Sequence, residues 1–245
     1  MIEINQIIRR SEQGVTRPYI CKDEAGEQLW VKGSAWLASD LASEWICAQL
    51  AKDFGLPVAE FNLVHVSHEL IEHSAIADIA SLGAGIGFGS VHVSGASELK
   101  YGTVSKIDQS LQADVLLFDY WIQNDDRGLG ELGGNPNLLW KLPERKLKLI
   151  DHNNAFDPIF DAQIFFKNHA FKDARSIWDD AYCTNRQEKL LAILSKLPDK
   201  LATLPDEWFF NDEDKENPLK EEIERMKEVL YRVEKDPYEF WKVAP

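Results

Sequence analysis

The chain has 245 residues, of which 44% are hydrophobic and 28% charged, a balance typical of globular proteins with one large domain or two compact lobes. Its formal net charge is −14. Such a surface repels phosphate backbones and anionic lipids, and no run of Lys and Arg offsets it, so neither nucleic acid nor a membrane is expected as a partner. The three cysteines form no CxxC pattern, which argues against structural zinc and favours a reduced, cytoplasmic protein.

The first third of the sequence predicts a small lobe rich in β-structure. Residues 17–33 are typical of a hairpin, with DEAG (23–26) as its turn. A helix is expected from Ser39 to about Phe54, and VAEFNLVHV (58–66) has the β-branched and aromatic bias of a strand. Residues 73–103 are rich in Gly, Ser and Ala, which predicts an irregular connection with one short helix.

The rest of the chain predicts a larger, mainly helical lobe. Apolar residues recur at helical spacing from Lys106 to Asn124, and two short strands, 137–140 and 147–150, follow. Helical patterns return beyond Asn185, with EWFFNDEDKEN (207–217) as a polar linker between them. The expected fold class is α+β: a bilobal protein-kinase-like fold, with a β-rich N-lobe over residues 1–100, an α-helical C-lobe over residues 101–245, and a cleft between them.

Three polar residues in the middle of the chain could serve phosphoryl transfer, which needs positioning and positive charge around the phosphates. Asp126 follows the long predicted helix, where a carboxylate can orient a hydroxyl acceptor, although NDDRG is also typical of a simple turn. Asn137, with Asn135 as its rival, and Asp151 lie at opposite ends of the predicted strand pair. Amide and carboxylate oxygens suit Mg²⁺, whereas a turn residue and a helix cap are the structural alternatives.

The N-terminal region supplies candidates for phosphate binding. Lys32 ends a predicted strand and could reach the α- and β-phosphates of a nucleotide, and Glu44, with Asp40 and Glu60 as alternatives, could pair with it. Gly14 permits a close backbone approach, so the amides of Val15 and Thr16 could face phosphate, or the segment could be a simple turn. No Walker A pattern occurs.

These motifs together resemble the HipA-like kinases and, more distantly, the phosphatidylinositol kinases. The resemblance is carried by DYWIQNDDR (119–127), GNPNLLW (134–140) and LIDHNNAF (149–156), and upstream by GVTRP (14–18) and LWVKG (29–33). Two features depart from the lipid-kinase pattern: Gly128 stands where that pattern has histidine, and GLGELGG lengthens the segment between Asp126 and Asn137.

The resemblance implies a kinase that uses ATP and Mg²⁺ and phosphorylates Ser or Thr of a protein. It implies Lys32 as the ATP lysine, Asp126 as the catalytic aspartate, Asn137 and Asp151 as magnesium ligands, and Asp119 and Asn124 as braces of the loop. The segments 61–66 and 88–90 are expected to contribute to the adenine pocket or to the hinge. Two alternatives stay open: a non-catalytic nucleotide-binding or interaction module, and a lipid or small-metabolite kinase.

Overall fold

A computed structural model gives the fold and describes residues 1–12, 17–142, 144–210 and 218–243. The chain forms two compact units. The first comprises Met1–Trp45, Ala59–Ser94 and Leu204–Leu219, and the second comprises Ile46–Val58, Gly95–Thr203 and Lys220–Pro245. Within the described residues, every helix is too short or too polar to span a bilayer.

The first unit is built on a closed five-stranded barrel. Its strands are β1 (Ile2–Arg10), β2 (Tyr19–Asp23), β3 (Gln28–Lys32), β4 (Phe61–Val66) and β5 (Gly85–Val91), in the order β1-β2-β3-β5-β4. Helix α1 (Ala38–Asp53) begins in this unit and continues into the second, and the short helix α2 (His68–Glu72) follows β4. Alternate strand residues fill the barrel, including Tyr19, Leu29 and Val64, none of which is accessible to solvent.

Strand β5 corrects the prediction of an irregular connection over residues 73–103. The strand is rich in glycine because its neighbours leave no space for side chains. A Cβ at Gly87 would lie 2.5 Å from the carbonyl oxygen of Lys32, and one at Gly89 would lie 2.4 Å from a methyl carbon of Val64. The glycines therefore mark a strand in close contact with both neighbours rather than a loop.

The segment predicted as a polar linker, residues 207–217, is packed against β5 where it is described. Trp208 is buried, and its indole nitrogen donates to the carbonyl of Ile86 at 3.0 Å. The Ile86 N–H in turn donates to the Glu207 carboxylate at 3.1 Å. Two side chains thus satisfy the backbone of one barrel residue, so Leu204–Leu219 belongs to the first unit despite its polar composition.

The second unit surrounds helix α3 (Gln109–Trp121), whose residues Val115 to Phe118 are fully buried. Its strands form two sheets: β6 (Ala96–Glu98), β9 (Leu138–Lys141) and β10 (Lys146–Leu149) in the order β10-β9-β6, and a hairpin of β7 (Gly128–Gly130) and β8 (Gly133–Asn135). The remaining helices are α4 (Ala162–Asn168), α5 (Asp180–Leu194), α6 (Leu197–Leu201), α7 (Lys220–Leu230), α8 (Arg232–Lys235) and α9 (Pro237–Trp241).

The C-terminal end of α3 is held by the C-terminal helices. The Trp121 indole donates to the carbonyl of Leu230 at 2.9 Å, and the Arg232 guanidinium donates to the carbonyls of Tyr120 and Trp121, both at 3.1 Å. A cation on the last carbonyls of a helix satisfies groups that have no partner within the helix. The loop that leaves α3, residues 122–127, therefore starts from a fixed point.

Candidate active site

Asp126 lies in this loop, and three asparagine amides donate to its carboxylate. The Nδ2 atoms of Asn137 and Asn154 lie 2.9 Å from Oδ2, and that of Asn135 lies 3.4 Å from Oδ1. Asn137 begins the chain into β9 and Asn154 follows β10, so three separate segments determine where this carboxylate points. The amides hold the carboxylate without neutralising its charge.

The proton affinity of Asp126 is increased by its surroundings. Burial raises the pKa of the carboxyl group above its ordinary value, and the negative charge of Asp151 raises it further. The hydrogen bonds from Asn137 and Asn154 act in the opposite direction without cancelling the shift. A carboxylate with a raised pKa is a better proton acceptor near neutral pH than an exposed one.

Arg127, the next residue, joins the segments that surround Asp126. Its side chain is fully buried, and its Nε lies 2.9 Å from the Asp119 carboxylate. Its Nη1 donates to the carbonyls of Asn137 and, at 2.9 Å, Ile150. One guanidinium thus fixes the backbone beside Asn137 and the residue before Asp151 relative to the loop that carries Asp126.

Asp119, near the end of α3, gathers a buried polar network. Besides Arg127, it accepts from the Asn124 amide at 2.9 Å and from Nε2 of His169 at 3.1 Å. Because Nδ1 of His169 accepts the Phe171 N–H at 3.0 Å, the ring proton of the neutral imidazole is on Nε2.

The charge states in this network follow from burial and pairing. Burial lowers the pKa of His169 despite the nearby carboxylate, so the imidazole is neutral. For Asp119, burial alone would raise the pKa, but the charge of Arg127 and the hydrogen bond from His169 outweigh it and bring the pKa below its ordinary value. The network is therefore one ionised pair with a neutral donor on each side.

The backbone is strained at both predicted metal ligands. Asn137 and Asp151 have φ angles of 47° and 60°, in the left-handed region, where Asn and Asp are the side chains best tolerated. Gln123 and Phe156, with φ angles of 52° and 64°, lie in the same region. Non-glycine residues in such conformations are held by their surroundings and concentrate at functional sites.

The donor set at Asn137 and Asp151 fits a hard divalent cation. Asn137 directs its amide nitrogen to Asp126, so its amide oxygen is the atom available as a ligand. Asp151 is near enough to Asp126 to raise its pKa, and a cation would relieve this repulsion. The described residues contain no group of three or more His, Cys, Asp and Glu that could hold a metal, so nucleotide phosphates and water would have to complete the coordination.

In the first unit, Lys32 ends β3 and forms an ion pair with Glu44 of α1. The Nζ and Oε2 atoms are 3.2 Å apart, and the two side chains are only 8% and 3% exposed. Strand pairing places Phe88 opposite Lys32, and the rings of Phe61 and Phe88 stack with centroids 6.0 Å apart. An adenine site at 61–66 and 88–90 stays a prediction.

The predicted phosphate loop, with Gly14, Val15 and Thr16, lies outside the described residues.

Sequence reasoning missed three residues of the site: Arg127, Asn154 and His169. The first two stand within the motifs themselves, in NDDR and DHNN, one and three residues after an aspartate, so polar side chains close to each aspartate were a usable signal. His169 gave none, because it is 50 residues from Asp119 and only the fold brings the two together.

Comparisons with known proteins agree with the kinase prediction. The family model described as HipA-like kinase matches residues 4–244, nearly the whole chain. No curated protein matches the sequence at a significant level.

Kinases are among the solved structures with a similar fold. The Helicobacter pylori proinflammatory kinase CtkA matches with a TM-score of 0.53 at 12% identity, over 96% of this chain and 92% of that one. The Golgi casein kinase matches with a TM-score of 0.54 at 13% identity, over 99% and 75%. A structure of the Golgi casein kinase with Mn/ADP bound has a TM-score of 0.49 at 11% identity, over 95% and 72%. The first two likenesses show a kinase fold with mixed α and β structure.

Proposed function

Because the chain belongs to the HipA-like kinase family, we propose that it transfers the γ-phosphoryl group of ATP to a hydroxyl group, with Mg²⁺ as the metal and Ser or Thr of a protein as the acceptor. The proposal includes the bilobal arrangement expected from the sequence. The observation that carries it is the setting of Asp126, a carboxylate held by asparagine amides beside Asp151.

Asp126 accepts the proton of the attacking hydroxyl. Its raised pKa increases its proton affinity, and the amides of Asn137 and Asn154 fix the direction of its oxygens. A hydroxyl group placed within hydrogen-bond reach of Asp126 becomes a better nucleophile as its proton is withdrawn. General-base groups of this kind contribute roughly 10²- to 10⁴-fold to a rate.

Asn137 and Asp151 are the proposed ligands of Mg²⁺. When bound, the ion supplies positive charge to the phosphate oxygens, where negative charge increases during transfer. Arg127 prepares this pair by hydrogen-bonding the backbone carbonyls of Asn137 and Ile150. The backbone at the proposed ligands is thus held before a nucleotide arrives.

Lys32 is the proposed contact to the α- and β-phosphates. Its ion pair with Glu44 restricts the ammonium group of a long, flexible side chain. A lysine that is already positioned loses less conformational entropy when it binds phosphate. Gly14, Val15 and Thr16 complete the proposal as a backbone cover for the phosphates.

The test is phosphoryl transfer with labelled ATP and Mg²⁺, comparing wild type with Asp126→Asn and Asp151→Asn. Both variants keep the shape of the side chain, and each is expected to lose at least about 100-fold in kcat. Asp173→Asn, which changes an exposed carboxylate of the same unit, is the matched control and should retain wild-type rates. Tight ATP binding by wild type without any turnover would instead favour the non-catalytic module.

A further inference from the structure

A small hairpin, β7–β8, occupies the segment between Asp126 and Asn137 that is longer than in the lipid-kinase pattern. It borders a groove of about 580 Å³. Residues 129–134 of the hairpin form one wall, and residues 98–102, which start at the last residue of β6, form the other. All of these residues belong to the second unit.

The hairpin is attached to Asp126 at both of its ends. Strand β7 starts at Gly128, two residues after Asp126, and β8 ends at Asn135, whose amide lies 3.4 Å from the Asp126 carboxylate. At a rise of about 3.3 Å per strand residue, the hairpin tip lies on the order of 10 Å from its base. A molecule held in this groove is therefore within a few residues' length of Asp126, the proposed general base.

The outer edge of β8 offers main-chain hydrogen bonds. Gly130 and Gly133 pair across the two-residue loop, so the alternation of an antiparallel pair turns the N–H and C=O of Gly134 away from β7. Strand β8 pairs only with β7 among the described strands, and all three of its residues are exposed. Because two of these three are glycines, a second chain can approach the backbone closely. An unpaired strand edge suits an extended polypeptide, which pairs along it.

The groove also offers apolar contacts. Leu129 and Leu99 are buried at its floor, whereas Leu132 at the hairpin tip is fully exposed and Tyr101 on the opposite wall is partly exposed. Because burial of apolar surface is favourable, a partner's apolar side chain that covers Leu132 would gain binding free energy. Both walls of the groove therefore carry apolar side chains.

The charges along the rim favour a cationic partner. Glu98 and Glu131 lie on opposite walls, with Lys100 as the single basic residue of the lining. The surplus of one negative charge is added to a chain whose net charge is already −14. Opposite charge at a rim speeds association and selects among partners.

We propose that the groove between the β7–β8 hairpin and residues 98–102 binds the acceptor as an extended polypeptide segment, which carries a basic residue near the hydroxyl to be phosphorylated. This inference rests on the proposed kinase activity and adds a docking site for its substrate. Gly134 supplies main-chain hydrogen bonds, Tyr101 and Leu132 cover an apolar side chain, and Glu131 contacts the basic residue.

A positional-scanning library of Ser- and Thr-containing peptides, with labelled ATP and Mg²⁺, tests the proposal on the full chain. Leu132→Asp is expected to raise the KM for the best library peptide at least about tenfold, while ATP hydrolysis without peptide stays within about twofold of wild type. Glu131→Lys is expected to shift the library preference from basic to acidic residues. Leu142→Asp, which changes another exposed leucine of the same unit, is the matched control and should leave both quantities unchanged.

The outcomes separate the docking site from the activity. Equal peptide KM values for Leu132→Asp and Leu142→Asp, or an unchanged preference in Glu131→Lys, would overturn the docking site. A wild-type protein that hydrolyses ATP but phosphorylates no peptide would overturn it as well, while leaving ATP turnover at the proposed active site standing. A protein that turns over no ATP would refute the activity and the docking site together.

Discussion

Replacing Arg127 by lysine keeps a positive charge beside Asp119 but removes the planar fork that joins three segments of the site. The guanidinium contacts the Asp119 carboxylate at 2.9 Å and the carbonyls of Asn137 and Ile150. A lysine ammonium is a compact group on a flexible stem and cannot hold all three positions together. We expect the ammonium to keep its ion pair with the Asp119 carboxylate and to lose the hydrogen bonds to both carbonyls.

The expected cost follows from the bonds that are lost. A hydrogen bond to a charged group contributes roughly 1.5–3 kcal/mol, so two of them amount to about 3–6 kcal/mol. Because a chain of this size loses roughly 2–4 °C in Tm per kcal/mol, the unfolding temperature of the second unit should fall by about 6–24 °C. The loss of fixed positions at Asn137 and Asp151 should lower kcat by about 100-fold, as a displacement of 1 Å can.

Denaturation by guanidinium chloride and kcat measurements on Arg127→Lys would test this expectation. Hydrogen exchange would localise the effect to residues 136–151. Arg186→Lys is the control, because Arg186 makes a similar forked contact with Asp114 near the surface, at 2.7 and 2.9 Å. Lysine can keep one of these two contacts, so the cost there should be about 1.5–3 kcal/mol, half of that expected at Arg127. If both variants unfold at the same denaturant concentration and Arg127→Lys retains full kcat, the assignment of Arg127 as the joint of the site is wrong.

Three further predictions concern protonation and packing. Replacing Asn154 by leucine removes a hydrogen bond that lowers the pKa of Asp126, so the acidic limb of the kcat profile should move to higher pH; a move to lower pH would contradict this. Since burial lowers the pKa of His169 below its ordinary 6.5, the unfolded chain binds more protons as pH falls from 6.5, and the free energy of unfolding should decrease there. Asp119, with a lowered pKa, adds a further decrease at more acidic pH. Denaturant titrations between neutral pH and about pH 5 test the contribution of His169: the free energy of unfolding should depend less steeply on pH in His169→Gln than in wild type. Equal slopes would contradict the assignment of His169 as neutral. Trp208→Ala empties a buried site and should cost the first unit about 3–5 kcal/mol, with faster hydrogen exchange in β5; unchanged exchange there would show that Trp208 does not support the barrel.

Much of the fold could be predicted from local sequence signals. The hairpin of β2 and β3, helix α1 and strand β4 are confirmed to within a few residues, because periodicity and turn residues act over short stretches. Helix α3 was predicted from Lys106 but begins at Gln109, since the Asp108 carboxylate caps it by accepting the N–H groups of Ser110 and Leu111. A capping aspartate is a readable signal, and it marks the boundary better than hydrophobic spacing does.

Close contacts between segments that are distant along the chain could not be predicted from the sequence. The glycines of β5 gave the composition of a loop, yet they are required because Lys32 and Val64 come too near for a Cβ. The order of Asp126, Asn137 and Asp151 along the chain was visible, but their connection through Arg127 depends on distances that only the fold sets. The same holds for His169, which reaches Asp119 from the end of α4.

The bond from Arg127 to the carbonyl of Asn137 closes the base of the β7–β8 hairpin. Once both ends of a loop are held, its length has little effect on stability: doubling a flexible loop costs only about 0.6 kcal/mol. Relatives can therefore gain or lose residues between these two positions without displacing the aspartate that precedes them. Natural variation in this family should accumulate in the hairpin, while the arginine at its root stays invariant.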